Sequence, residues 1–284
     1  MTTPYQRSER QLQRLAYHRR RKATGISVAT ASTLVVAVAA VFVVGHAPGW
    51  PRVRETFFSG AAFAASFPDV LSGFWLNVKI FCVAEVGILV FGLAIAVARS
   101  VRTPALFPLR VLAAAYTDFF RGVPILLVLY LVGFGVPALN LTGVPSDPVV
   151  LATITLIVSY SAYVSEVYRA GIDSIHPSQR AAARALGLKQ HQAMRHVVLP
   201  QAVRRVVPPL LNDFVALQKD TALVAVLGPL EAARQAQIYA SGHFNFTSYV
   251  VAALLFIALT IPLARLTDRI AARTARRQGP GGMA

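Results

Sequence analysis

Inside one largely apolar stretch the chain carries Asp213, Lys219, Asp220 and Thr221. A charge at the centre of a membrane-spanning helix costs about 2.5–3.5 kcal/mol on insertion scales, so such residues usually face a cavity or a partner. Asp213 and Asp220 are seven residues apart and share one helix face, with Ala216 and Leu217 between them. Two carboxylates in line could bind a cargo ammonium group. The structural reading stands beside that one: Lys219 neutralises a neighbour across a helix interface, or Asp220 and Thr221 satisfy broken backbone. For Asp220 the two readings weigh equally, and for Asp213 the structural one weighs more. Glu166 has Arg169 three residues on, the spacing of a surface ion pair, and Asp118 and Arg121 repeat it. Pro124 can break its helix and free carbonyls toward a cavity. Lys79 and Glu85, six apart, do not share a face, and Lys79 is placed to snorkel.

Enzyme chemistry finds no foothold. The sequence has no Gly-x-x-x-x-Gly-Lys-Ser/Thr phosphate cradle, no His-Glu-x-x-His and no Ser/His/Asp arrangement. Its six histidines are scattered, and His191 and His196 lie in a basic loop that favours solvation over ligation. One cysteine excludes a disulfide framework and a cysteine-rich metal site. We therefore expect no catalytic residue and no metal site.

The elements that must hold these charges follow from composition. The 284 residues are 55% hydrophobic and 14% charged, with a mean hydropathy of +0.55 and a formal charge of +16. A nucleic-acid binder of that charge would cluster its cations beside aromatics on a polar surface. A disordered basic chain would be poor in Val, Leu, Ile and Phe. The composition instead implies an all-α polytopic membrane protein.

Uncharged runs predict six spans: Ile26–Gly45, about Leu71–Ala98, Val111–Val136, Val149–Tyr168, Val206–Gly228 and Thr247–Leu263. The first has too long an apolar run for a signal-peptide core, so an uncleaved anchor is expected. Residues 46–70 form an external linker without a clear span pattern, opening on an interfacial turn at His46–Pro51 with Trp50 as anchor. With both termini inside, 22 of the 28 Lys and Arg residues fall on the cytoplasmic side. They occupy the segment 1–25 (Arg7–Lys22), the loop with Arg99, Arg102 and Arg110, the long loop 171–202 with its flanks, and Arg265 with the tail 269–284. The charge is thus an orientation signal. Arg7–Lys22 is either a helix drawn to anionic lipid or a disordered topology determinant, the second slightly favoured.

The long loop is the most informative stretch. Pro177 presets a helix start, and His176 or Ser178 can cap it. Ala181, Ala182, Ala183 and Ala185 favour helix, and Gly187 supplies a left-handed stop. A second short helix is expected over Gln190–Val198, ended by Pro200.

Here the sequence resembles the permease subunits of ATP-binding-cassette (ABC) importers, in particular the polar amino acid (histidine/glutamine/glutamate) type. The family's cytoplasmic signature, Glu-Ala-Ala, three residues, Gly, nine residues, Ile, one residue, Leu-Pro, is matched by Ala181-Ala182-Ala183, Gly187, Val197 and Leu199-Pro200. Flanking blocks agree: Glu166–Gly171, Ala183–Leu188 and Leu199–Ala202, with Phe120-Arg121-Gly122-Val123-Pro124 and Lys219–Leu223 elsewhere. The likeness covers about Phe74–Arg269, and it departs from the pattern at Ala181, where the family has Glu, and at Val197, where it has Ile.

The resemblance implies a permease domain over 71–268, five spans plus the extra N-terminal helix 26–45, with a cytoplasmic coupling helix. It implies docking through Arg180, Ala181, Ala182, Ala183, Arg184, Gly187, Leu199 and Pro200, and a cargo path for which Asp220, Thr221, Asp213, Glu166 and Arg121 are candidates. It further implies transport of a polar amino acid across the bacterial cytoplasmic membrane, with ATP and Mg on separate ATPase subunits and no cofactor on this chain. The expected partners are those ATPases, a second permease copy or related permease, an extracytoplasmic amino-acid-binding protein and the lipid bilayer, with no nucleic acid. The alternative is a secondary transporter or channel subunit working without an ATPase; such proteins commonly show an internal repeat, and none is visible between the halves.

Overall fold

The computed structural model describes residues 9–100 and 103–276, so the predicted cytoplasmic cations Arg7, Arg102 and Arg277 lie outside the described residues. The chain divides into two units, Met1–Thr56 and Phe57–Ala284.

In the first unit, α1 (Glu9–Gly45) runs without interruption, so the backbone is helical well before Ile26 and the disordered reading of that stretch does not hold from Glu9 on. No proline or glycine falls between Glu9 and Ala23 to stop it. Its apolar part, Thr24–Gly45, is apolar all round and uncovered, the pattern of a lone membrane helix. The short α2 (Trp50–Phe57) follows, where a linker was expected.

In the second unit, α3 (Gly60–Ser100) begins eleven residues earlier than the predicted span. The missed signal is Ser59, whose Oγ accepts the Ala62 N–H at 3.3 Å and opens the helix. At 41 residues α3 is about 60 Å long. The third predicted span is two helices, α4 (Phe107–Gly122) and α5 (Ile125–Ala138), bent by 108°. Pro124 makes the break: its ring excludes helical backbone at Val123, which sits extended at φ −102°, ψ 130°.

The helix α6 (Pro148–Asp173) is capped by Asp147, which accepts the Val150 N–H at 3.0 Å. Two short helices, α7 (Pro177–Ala185) and α8 (Gln190–Ala193), precede α9 (Leu199–Asp220). A tight 3₁₀ stretch over Thr221–Leu227 ends α9's course, and then come α10 (Ala232–His243) and α11 (Thr247–Arg276).

Two further expectations are corrected. Pro200 ends nothing: Met194–Val198 forms a π-helical turn that runs straight into α9, leaving Pro200 in the first turn, where its missing N–H costs no bond. The fifth predicted span stops at Asp220, well short of Gly228. Among the described residues four helices are long and apolar enough to cross a membrane, or five if the bent α4–α5 pair is one span. The 22-residue α9 is long enough, but Arg204, Arg205, Asp213, Lys219 and Asp220 keep it out of that set.

The core lies where α3, α5, α6, α9 and the 3₁₀ stretch meet, around Ile88, Leu129, Leu156, Leu217 and Val224. Small residues bring the backbones together, as membrane packing requires in place of a hydrophobic drive. A Cβ on Gly92 would lie 2.8 Å from Val164 Cγ1, and one on Gly171 would lie 2.1 Å from Val206 Cγ1. A Cβ on Gly73 would lie 2.6 Å from the Glu231 carbonyl carbon, which is backbone and cannot swing aside. Gly73→Ala should therefore cost about 1–3 kcal/mol, read as a lowered melting temperature of the solubilised protein. Gly60→Ala, with nothing within 4 Å of the added carbon, should leave the midpoint in place. Equal midpoints would show that the α3 contact has slack.

Candidate functional site

The predicted cargo-path residues separate into two groups. Asp213 and Asp220 stay together: both lie on α9, on the face turned to α3 and α6. Tyr160 of α6 donates from its hydroxyl to Asp220 Oδ2 at 2.7 Å. Asp213 Oδ2 is buried and has no hydrogen-bond partner among the described residues, with Glu85 of α3 and Tyr160 as its electrostatic neighbours. Lys219 is exposed and makes no ion pair among the described residues, so it does not neutralise either acid within this chain. The result is a seam of Glu85, Asp213 and Asp220 with one phenol, able to attract a cation and poorly suited to an anion. Glu85 was visible in the sequence without this relation, and Tyr160 was missed; their partners are distant in the chain.

Thr221 belongs to a different constellation. It is fully buried, and its hydroxyl donates to the Gln218 carbonyl at 2.8 Å. Asn77 of α3 donates to Thr221 Oγ1 at 3.3 Å and to Glu231 Oε2 at 2.9 Å, while its own carbonyl accepts the Ala232 N–H at 3.0 Å. Glu231 has no exposed surface and caps α10, accepting from the Ala233 and Arg234 N–H groups at 3.0 and 2.7 Å. Burial pushes its carboxyl above the usual carboxylate range, and these donors oppose that shift. Thr221 is thus a fastening of the turn after α9. Neither Asn77 nor Glu231 was picked out from the sequence. Glu231 gave no local signal, because the usual helix caps are Ser, Thr, Asp and Asn.

Glu166 lies at the far end of α6, in an ion network. It binds Arg99 of α3 and, at 3.0 Å, Arg169, which also reaches Asp173 at 3.3 Å. The Arg169 pair follows the predicted spacing; Arg99 is an added, long-range partner. Arg121 is exposed at the α4–α5 break, and its carbonyl accepts from Tyr163 at 3.3 Å. It makes no ion pair with Asp118 among the described residues.

At the same end as Glu166, α7 packs against the Met194–Val198 turn, beside a small cluster of Ile175, Val198 and Ala202 with Ile172 against it. His176 Nδ1 accepts the Ser178 N–H at 3.2 Å, and Gly187 takes the left-handed φ of +85°. Ala183 is buried, whereas Ala181, Ala182, Arg184, Gly187, Leu199 and Pro200 are exposed and Arg180 is half-buried. Arg180 donates to the Ile172 carbonyl at 3.2 Å. Arg205 also donates to the Ser174 carbonyl, so arginines from both sides fix the turn between α6 and α7.

Long apolar helices, a broken span, an in-line acidic seam and a small exposed helix at one end are the features of an all-helical membrane protein. The model of the family "Binding-protein-dependent transport system inner membrane component" matches residues 88–276, and the chain belongs to that family. It is 36% identical over 199 residues to a protein of Bacillus subtilis named as the probable glutamine ABC transporter permease protein GlnM, covering 70% of this chain and 89% of that one. The glutamate transport system permease protein GluC of Corynebacterium glutamicum is 32% identical over 221 residues, covering 72% and 96%. Among solved structures, an amino acid ABC transporter crystallised with histidines matches with a TM-score of 0.69 at 30% identity, over 76% of this chain and 98% of that chain.

The acidic seam yields a separable test. Asp220→Asn keeps the shape and loses the charge; uptake should fall about tenfold, the scale of a charge-assisted hydrogen bond. Tyr160→Phe, which frees the carboxylate and keeps its charge, should fall by less. Unchanged uptake in Asp220→Asn would make the residue a helix-end fastening.

Proposed function

We propose that this chain is the translocating subunit of an ATP-driven importer that carries a polar amino acid across the bacterial cytoplasmic membrane. Two such subunits, alike or related, would form the path between them. Separate ATPase subunits would bind ATP and Mg and close to alternate access, and an extracytoplasmic binding protein would deliver the cargo. In this reading α9 crosses the membrane in the assembled permease, with Asp213 and Asp220 turned to α3 and α6 and Arg204 and Arg205 near its cytoplasmic end, giving six spans with both termini cytoplasmic.

The observation that carries this is the exposed α7 with its Gly187 stop, packed against the Met194–Val198 turn and tied to α6 by Arg180, at the positions of the importer signature. The glutamine and glutamate permeases among its relatives, and the amino acid ABC transporter crystallised with histidines, support the cargo class. With Ala181 in place of the signature Glu, docking rests on shape and on Arg180, Arg184 and Lys189 meeting acids of the ATPase. The reading without an ATPase has no observation in its favour.

Co-purification of an ATPase subunit, and ATP hydrolysis stimulated by a loaded binding protein, test the assembly. Gly187 tests the coupling. A Cβ there meets nothing within 4 Å, so any cost comes from the positive φ alone. Gly187→Val should therefore uncouple hydrolysis from uptake by about tenfold or more, whereas Gly187→Asn, which tolerates left-handed backbone, should stay within about threefold. Equal behaviour of the two in uptake and ATPase assays would contradict the role of this turn.

A further inference from the structure

Near the base of α7 lies a cavity of about 420 Å³ whose lining includes Arg99, Arg110, Arg169, Arg180, Asp173 and Gln190. Two carboxylates, Asp173 and the adjoining Glu166, stand against four guanidinium groups. Arg99 and Arg169 are held by those acids. Arg110 and Arg180 have no carboxylate partner among the described residues: Arg110 lies over the Phe107 ring at 5.2 Å, and Arg180 donates only to the Ile172 carbonyl. The Nε groups of Arg169 and Arg180 are buried and unpartnered. Leaving buried donors unmade is costly, and two guanidinium groups without a carboxylate partner beside one cavity match a phosphate group.

We propose that this cavity binds the phosphate of an anionic phospholipid headgroup. A free phosphate group would satisfy the same arginines, but the rim is amphipathic. The segment that brings Arg110 also exposes Leu106, Phe107, Leu109 and Leu112, a surface for acyl chains beside the charged cavity. Basic pockets between transmembrane helices hold lipid headgroups in this way. An acidic loop of a protein partner fits less well, because the exposed alanines of α7, the small face suited to close protein approach, are not part of the lining. The site is independent of which cargo the seam carries.

The test uses the whole transporter complex, solubilised from vesicles of phosphatidylcholine with and without phosphatidylglycerol, with retained lipid counted by native mass spectrometry. The wild type should keep phosphatidylglycerol in preference to phosphatidylcholine. Arg110→Gln should lower that retention about fivefold, and Arg110→Gln with Arg180→Gln by a further similar factor. If the double variant does not assemble, Arg110→Gln alone decides. Retention unchanged by Arg110→Gln overturns the proposal. So does inorganic phosphate protecting the complex against heat as well as phosphatidylglycerol does, which would make the site one for free anions. Loss of the ATPase subunits with lipid retention intact also overturns it, assigning the cavity to a protein partner.

Discussion

Asn77 holds the second unit together at the point where its helical order breaks. Along a continuous helix every backbone group finds a partner within its own segment, and in lipid there is no water to replace one. Between Asp220 and Ala232 the chain gives that up, passing through a 3₁₀ stretch and the left-handed Gly228 before α10 begins. The turn is tolerable because a single side chain of α3 meets it at three points: the Thr221 hydroxyl, the Glu231 carboxylate and the Ala232 N–H. Gly73, one turn earlier on α3, has no Cβ and so admits the Glu231 backbone. Everything that α9 presents inward, Asp213 and Asp220 included, depends on this anchored return.

The anchoring also explains how α9 keeps its charges. Asp220 sits at its last residue, where helix order ends, and Tyr160 gives it a donor from α6. Gln218 is tied on the other side, accepting from Thr260 of α11 at 2.6 Å. Neighbouring residues of one helix end are thus fastened to α6, α3 and α11 in turn, which fixes the carboxylate's position far more closely than a loop could. One carboxylate oxygen of Asp213, a full two turns earlier, is left without a partner.

The parts legible in the sequence were those governed by local rules. Charge-free runs marked the long helices, Pro124 marked a break, and His176, Pro177 and Gly187 marked both ends of α7, because each acts on its own few residues. What escaped was non-local or a matter of register. Asn77 and Glu231 are 154 residues apart, and neither is unusual in its own neighbourhood. Arg99 and Glu166 likewise meet only when α3 and α6 pack. Pro200 misled because a proline reads as a stop unless the turn before it is known, and a π-turn leaves no composition signal.

The excess of cations takes on a second meaning from the packed structure. As a sequence property, 28 Lys and Arg against 12 Asp and Glu specify orientation and require only that the charges lie on one side. Folding then divides them by surroundings. Arg184 and Lys189 stay exposed on or beside α7, free to meet another protein. Arg99, Arg110, Arg169 and Arg180 are drawn from four separate elements into one half-buried cavity. An orientation signal would be served as well by arginines in water, where each keeps its hydration at no cost. Gathering them around one partly open cavity adds mutual repulsion, which a negative partner relieves. Glu166 and Asp173 balance two of the four, which leaves Arg110 and Arg180 for the phosphate we propose there.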